Sequence, residues 1–138
     1  MKYLIDTNVL SELRRPQPQP VVVDWFEQHA RRSLYLSVLT LGEIRKGIAK
    51  MQPGPRRDAL DGWLKQDLPL YFSGRVLPLD ATTAEEWGQL CARVQRPLPA
   101  IDGLLAATAL RHGMSLVTRN TRDFEDLGLD VINPWSLP

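Results

Sequence analysis

An α/β fold with a mostly parallel sheet of about five strands, covered by helices on both faces, is predicted by three observations. Short apolar runs of strand character alternate with longer segments in which apolar residues recur at helical spacing. Proline, glycine or a capping residue bounds each segment. No repeat or linker interrupts the alternation, and the 138 residues fit one domain spanning 1–138, because folded domains cluster near ~100–150 residues.

The elements follow in order. Met1 to Ile5 reads as the first strand, and Val9 to Arg14 as a short helix stopped by Pro16. Val21 to Arg31 places Val22, Trp25, Phe26 and His29 at helical spacing. Leu34 to Val38 is the second strand and leads into a helix from Leu41 to Lys50, which Pro53 and Gly54 stop. Arg56 to Phe72 carries Leu60, Trp63, Leu64 and Leu68 at the helical period, and Gly74 introduces a third strand, Arg75 to Leu79. Asp80 or Thr82 caps a helix running to Arg96. Pro97 and Pro99 separate it from the helix Ile101 to His112, which Gly113 ends. Ser115 to Thr118 and Asp130 to Ile132 complete the strands.

Composition excludes several classes of protein. With 43% hydrophobic and 24% charged residues the chain is not of disordered type. One cysteine, Cys91, excludes an internal disulfide framework and a cysteine-based zinc site, and reads as a core thiol. No apolar run approaches ~20 residues and the amino terminus has no signal-peptide pattern, so a cytoplasmic protein is expected. A net charge of +1 does not announce a nucleic-acid partner. The arginines at strand ends are more informative: Arg14, Arg119 and Arg122 are candidates for nucleic-acid contact, whereas Arg31, Arg32, Arg56 and Arg57 read as a solvated helical face. His29 and His112 lack metal-ligand spacing and are assigned to structure, His112 as the cation at a helix end.

In a parallel sheet, residues just beyond separate strands share one edge, which is where ligands bind. Four acids fall there: Asp6 after the first strand, Glu43 after the second, Asp102 at the start of the helix Ile101 to His112, and Asp123 after the fourth strand. Each has a structural explanation by itself, since Thr40 and Glu43 have capping-box spacing and an acid complements a helix start. Gathered together they conflict, because carboxylates ~4 Å apart repel by about 4 kcal/mol at an effective dielectric near 20. A hard divalent cation, Mg²⁺ or Mn²⁺, resolves the conflict and can activate water for phosphodiester hydrolysis.

At these residues the chain resembles the PIN-domain ribonucleases, in particular the toxin subunits of bacterial VapBC and FitAB toxin–antitoxin pairs. The strings that carry the resemblance are LIDTNVLSELRRP, LSVLTLGEIRKGI, LPAIDGLLAATAL and LVTRNTRDF, with the tail INPW. It implies a three-layer α/β/α domain with Asp6, Glu43, Asp102 and Asp123 as the acidic metal centre and Thr7, Asn8, Thr118 and Asn120 as polar support. It further implies an RNA substrate, with a transfer RNA among the candidates, a homodimer, and a small DNA-binding antitoxin of the VapB or FitA kind. The many large aromatic residues, Trp25, Phe26, Trp63 and Trp87, agree with pairing through helical faces. The antitoxin's apolar tail is expected on the helix bearing Val9, Leu10 and Leu13, beside Trp25 and Phe26. Two positions depart from the family pattern. Gly103 stands where alanine is common, which costs the helix start up to ~1 kcal/mol. Asn120 stands where some members carry an acid, which leaves open whether the fourth ligand acts through water.

Two other readings compete. A haloacid-dehalogenase-like phosphatase also ends its first strand on Asp, but needs a second Asp as general acid where this chain has Asn8, an amide that cannot protonate a leaving group. A catalytically silent PIN module would bind RNA or DNA without cutting it, and metal-dependent turnover separates the two.

Overall fold

The computed structural model describes residues 1–136. Five parallel strands form one sheet in the order β3-β2-β1-β4-β5: β1 (Tyr3–Ile5), β2 (Leu34–Ser37), β3 (Val76–Leu77), β4 (Ser115–Val117) and β5 (Val131–Ile132). The helices are α1 (Thr7–Leu13), α2 (Pro20–Glu27), α3 (Val38–Ala49), α4 (Pro55–Gly62), α5 (Leu68–Tyr71), α6 (Ala81–Arg93) and α7 (Ala100–His112).

Alternation along the strands builds the three layers. Ile5, Leu34, Leu36 and Val117 point into one core with Val9, Leu10, Val22, Trp25, Ile44 and Phe72, from α1 to α5. Leu4 and Leu116 point the other way, toward Leu90, Leu105, Ala106, Ala109 and Phe124 under α6 and α7. Strand β1 is central, and the chain leaves it first toward β2 and β3 and later toward β4 and β5. That reversal opens a crevice beyond the carboxyl ends of β1 and β4, the usual ligand position in such sheets.

Local boundaries differ from expectation where side chains compete for backbone groups. Val38 begins α3 instead of ending β2, because the buried Ser37 hydroxyl accepts from Leu39 N at 3.0 Å and caps the helix. The Thr40–Glu43 capping box therefore does not form, and Thr40 is buried with its hydroxyl unpartnered among the described residues. Asp80, not Thr82, caps α6, accepting from Thr83 N at 3.0 Å and Thr83 Oγ1 at 2.9 Å. Helix α6 stops at Arg93, since Val94 is already extended and Pro97 keeps the preceding residue out of helical conformation.

Between Arg56 and Phe72 the helix is not uniform. A π turn, Trp63–Asp67, joins α4 to α5; Pro69 has no N–H for the carbonyl one turn back, and the wider turn accommodates that loss. At the end of α7, Gly113 takes φ 64° and Met114 N returns to Ala109 O at 2.9 Å, a left-handed cap suited to glycine. Cys91 is half-buried rather than a core thiol. His29 stacks on Trp25 with ring centroids 4.0 Å apart, and its Nδ1 meets Trp25 O at 2.6 Å. His112 Nε2 lies 2.8 Å from Arg111 Nη1, and neither histidine lines the acidic crevice. No described helix is long and apolar enough to cross a membrane.

Candidate active site

Strand β1 delivers Asp6 to the crevice and α1 begins on the next residue, so Asp6 is both helix cap and site residue. Its Oδ1 accepts from Thr7 N at 2.7 Å and its Oδ2 from Thr118 Oγ1 at 2.8 Å. Only 9% of the residue is exposed. Thr118, fully buried at the end of β4, also accepts from Asn8 Nδ2 at 3.2 Å and Asn120 N at 3.1 Å. Asn8 Oδ1 in turn accepts from Arg119 N at 3.2 Å. Thr7 Oγ1 donates to Glu43 Oε1 at 2.6 Å, which ties α3 to the start of α1. Thr7, Asn8 and Thr118 enter this network through their side chains, and Asn120 through its backbone N–H.

Asp6, Glu43 and Asp102 line one cleft of about 480 Å³ together with Thr7, Asn8, Ser11, Arg119 and Asn120. Burial raises the Asp6 carboxyl above its ordinary range, and the Glu43 and Asp102 carboxylates push the same way against the Thr118 and Thr7 donors. Burial likewise raises Asp102, followed by repulsion from Asp123 and Glu43, with Arg96 opposing. Asp123 is therefore close enough to act on Asp102 but is exposed on a short turn, Thr121–Asp123, and does not line the cleft.

The donors facing the cleft are carboxylate, hydroxyl and amide oxygens, with neither histidine nor cysteine among them. Among the described residues no three acidic, histidine or cysteine side chains are placed to hold a metal ion together, so the four acids do not form a ready-made metal centre. The donor set fits a hard cation that touches one or two carboxylates and keeps much of its water, the habit of Mg²⁺. It does not fit a tetrahedral zinc site.

The three candidate arginines separate. Arg119 lies in the acidic cleft, 5.0 Å from the centroid of the Trp135 ring. Arg14 lies in a neighbouring groove, 5.3 Å over the Trp63 ring, with its carbonyl taken by Arg56. Arg122 is exposed on the turn beside Asp123 and outside the cleft lining.

Three participants were not singled out from the sequence. Glu12, 4% exposed, lines the cleft, accepts from Gln19 N at 3.0 Å and pairs with Arg15 at 3.4 Å, clasping the proline-rich loop to α1. Arg96 grips the Asp126 carboxylate with two contacts of 2.9 Å and donates to Asp123 O at 2.8 Å. Trp135 belongs to the tail INPW and lines the cleft. The three-residue spacing of Glu12 and Arg15 was the single local signal; the others are contacts between distant segments.

Known proteins resemble this chain over nearly its whole length. A PIN domain is matched over residues 3–129. The chain is 42% identical over 135 residues to plasmid stability protein StbB of Pseudomonas syringae pv. tomato, covering 96% of this chain and 97% of that protein. It is 38% identical to VapC ribonuclease Y4jK of Sinorhizobium fredii, covering 96% of each. The crystal structure of FitAcB from Neisseria gonorrhoeae superimposes with a TM-score of 0.91 at 37% identity, over 98% of this chain and 99% of that one. A likeness spread over nearly the whole chain, with the acids at the sheet edge where such a fold binds ligands, leaves one assignment: the chain belongs to the PIN-domain family, in its VapC and FitB branch.

Proposed function

We propose that this chain is the toxin of a toxin–antitoxin pair and hydrolyses RNA phosphodiester bonds with Mg²⁺ or Mn²⁺. The observation that carries the reading is the buried Asp6, whose carboxyl is raised by burial and by the nearby Glu43 and Asp102 charges, a conflict that a cation relieves. Asp6 and Asp102 are the residues suited to hold it directly, with Glu43 and Asp123 acting directly or through water. A bound cation of this kind polarises a phosphoryl oxygen and lowers the pKa of water. The chain's own groups then orient: Thr118 and Thr7 fix the Asp6 carboxylate, Thr7 also fixes Glu43, and Asn8 ties the β4 loop to α1.

The names of the relatives support the same reading, one being a VapC ribonuclease and another the Neisseria FitB toxin. The partner expected is a small DNA-binding antitoxin whose tail covers the cleft. Of the apolar groups expected to receive that tail, Val9, Leu10 and Trp25 are consumed by the core. Leu13, Phe26, Trp63 and Tyr71 line a separate pocket of about 160 Å³ that remains open to it. Pairing of two copies belongs to the same proposal. Exposed Val38 and Ile101 beside the cleft are better placed for it than the largely buried aromatics, and light scattering that shows a monomer at micromolar concentration removes it.

The decisive test is cleavage of labelled cellular RNA. Activity is expected with Mg²⁺ or Mn²⁺ and is suppressed by EDTA and by the co-expressed antitoxin, with sequenced RNA ends giving the target. Full activity in excess EDTA overturns the metal reading. Tight RNA binding without any cutting in either metal identifies a silent binding module instead.

A further inference from the structure

We propose that Arg119, held against the indole of Trp135, grips an RNA phosphate beside the scissile bond and so fixes where the strand lies relative to Asp6. The inference rests on the reading of the cleft as a phosphodiesterase site and names the residues that bring a polyanion into it. A cleft lined by Asp6, Glu12, Glu43 and Asp102 repels phosphate, and a basic side chain among them whose charge is not already paired adds to what a divalent cation would offset.

Arg119 is such a side chain. Arg15, which also faces the cleft, is paired with Glu12, and Arg96 is paired with Asp126. Among the described residues the Arg119 guanidinium has no ion pair and no hydrogen bond, and its Cζ lies over the Trp135 ring, 5.0 Å from the centroid. A cation–π contact takes up none of the N–H donors of arginine, and their fork matches two phosphate oxygens. The backbone is fixed as well, since Arg119 N donates to Asn8 Oδ1 at 3.2 Å, within the network that holds Asp6.

Trp135 is the positioning residue. Its backbone N–H donates to Asn133 Oδ1 at 2.9 Å, and its ring packs on the core that contains Ile5 and Val117. Among the described residues the buried indole N–H has no partner, so the ring is placed by packing and presents its face to the arginine. A guanidinium so restrained loses less side-chain entropy on meeting phosphate than a freely moving one.

The test combines cleavage kinetics with binding of a fluorescent single-stranded RNA, the latter in an Asp6→Asn background so that the strand stays intact. Arg119→Ala is expected to weaken binding about tenfold, the size of one charge-assisted contact, and to lower the salt slope by about 0.7 for one lost phosphate contact. The cleavage defect falls on KM more than on kcat, and Arg119→Lys recovers part of it. Trp135→Phe, which keeps a ring for the core, weakens binding in the presence of Arg119 and adds nothing to Arg119→Ala. An Arg119→Ala protein that melts normally, cleaves, and shows unchanged affinity and salt slope overturns the proposal. Additive losses from the two substitutions overturn the role of Trp135. Wild-type protein that neither binds nor cuts RNA removes the underlying reading and the proposal with it.

Discussion

The two walls of the cleft are built differently. One wall, at the ends of β1 and β4, is a closed network: Asp6, Asn8 and Thr118 satisfy one another across separations of 110 and 112 residues in the chain. The other wall carries Asp102 on the first turn of α7 and Asp123 on an exposed turn. No described residue donates a hydrogen bond to the Asp102 carboxylate, and the Asp123 turn is held by Arg96 through its backbone carbonyl. The first wall is preorganised by the fold, at the cost of burying a carboxylate. The second is left open to solvent and to whatever counter-charge arrives. Precision of the site therefore resides at the sheet, and adjustability at the helix start and the loop.

The largest effect that tests this contrast comes from Asp6→Asn. The rate of RNA cleavage is expected to fall by orders of magnitude, while the amide oxygen still accepts from Thr7 N and keeps the fold. Stability should move the opposite way. Because the folded carboxyl is raised above its ordinary value by burial, the native state takes up a proton more readily than the unfolded chain, and wild-type stability declines as pH rises through that raised value. Asn removes the dependence. In EDTA the variant should melt at or above the wild-type temperature at neutral pH, with the gap closing as pH falls toward the ordinary carboxylate range. A variant that melts far below wild type at neutral pH contradicts the preorganised wall.

Thr118→Val and Arg96→Gln compare the walls directly. Valine keeps the shape of threonine but removes the donor to Asp6 and the acceptor for Asn8 and Asn120 N. Loss of a hydrogen bond that orients a metal-binding group typically costs ~10–100-fold, and Thr118→Val belongs at the upper end because three contacts depend on one atom. Arg96→Gln releases the Asp123 turn and lifts the Asp102 carboxyl further, since Arg96 is the group opposing its rise; a loss of about tenfold is expected, recoverable in part at higher Mg²⁺. Single-turnover rates across a metal titration distinguish the two. Equal losses, both rescued by metal, erase the distinction between the walls.

What the sequence made legible follows from where each signal is stored. Strand ends and helix starts are local, so Asp6, Glu43 and Asp102 can be placed on one sheet edge from periodicity and breakers. Their support in Thr7, Asn8, Thr118 and Asn120 came through family resemblance. Competition for the same backbone group is not local in that sense: Ser37 outcompetes Thr40 as the cap of α3 because the buried strand end already fixes its hydroxyl. Arg96 meeting Asp126 and Arg119 meeting Trp135 join segments whose separation in sequence carries no pattern. Arg14, Arg119 and Arg122 looked alike as arginines beside strand ends, and only packing sorts the one in the acidic cleft from the one on Trp63 and the one on the exposed turn.

The smallest effect concerns the anchoring of the adjustable wall. Gly103, next to Asp102, is a helix residue whose absent side chain matters: a Cβ there would lie 2.9 Å from Trp87 Nε1 and 3.2 Å from Leu98 Cδ2. Helix propensity alone makes Gly103→Ala stabilising by up to ~1 kcal/mol. The rigid indole cannot move aside as a flexible chain end could, and overpacking of this kind costs ~1–3 kcal/mol. The balance is a net loss of about 1 kcal/mol, a fall in Tm of about 4 °C for a domain of this size, with a minor change in cleavage rate. Trp87 supplies the control. Its buried Nε1 has no hydrogen-bond partner among the described residues, so Trp87→Phe gives up no polar contact seen there while withdrawing the atom that meets the new methyl. In that background Gly103→Ala should turn neutral or stabilising, as propensity alone requires. A Gly103→Ala protein that melts above wild type with Trp87 intact shows instead that the indole yields, and that the start of α7 is held more loosely than its packing implies.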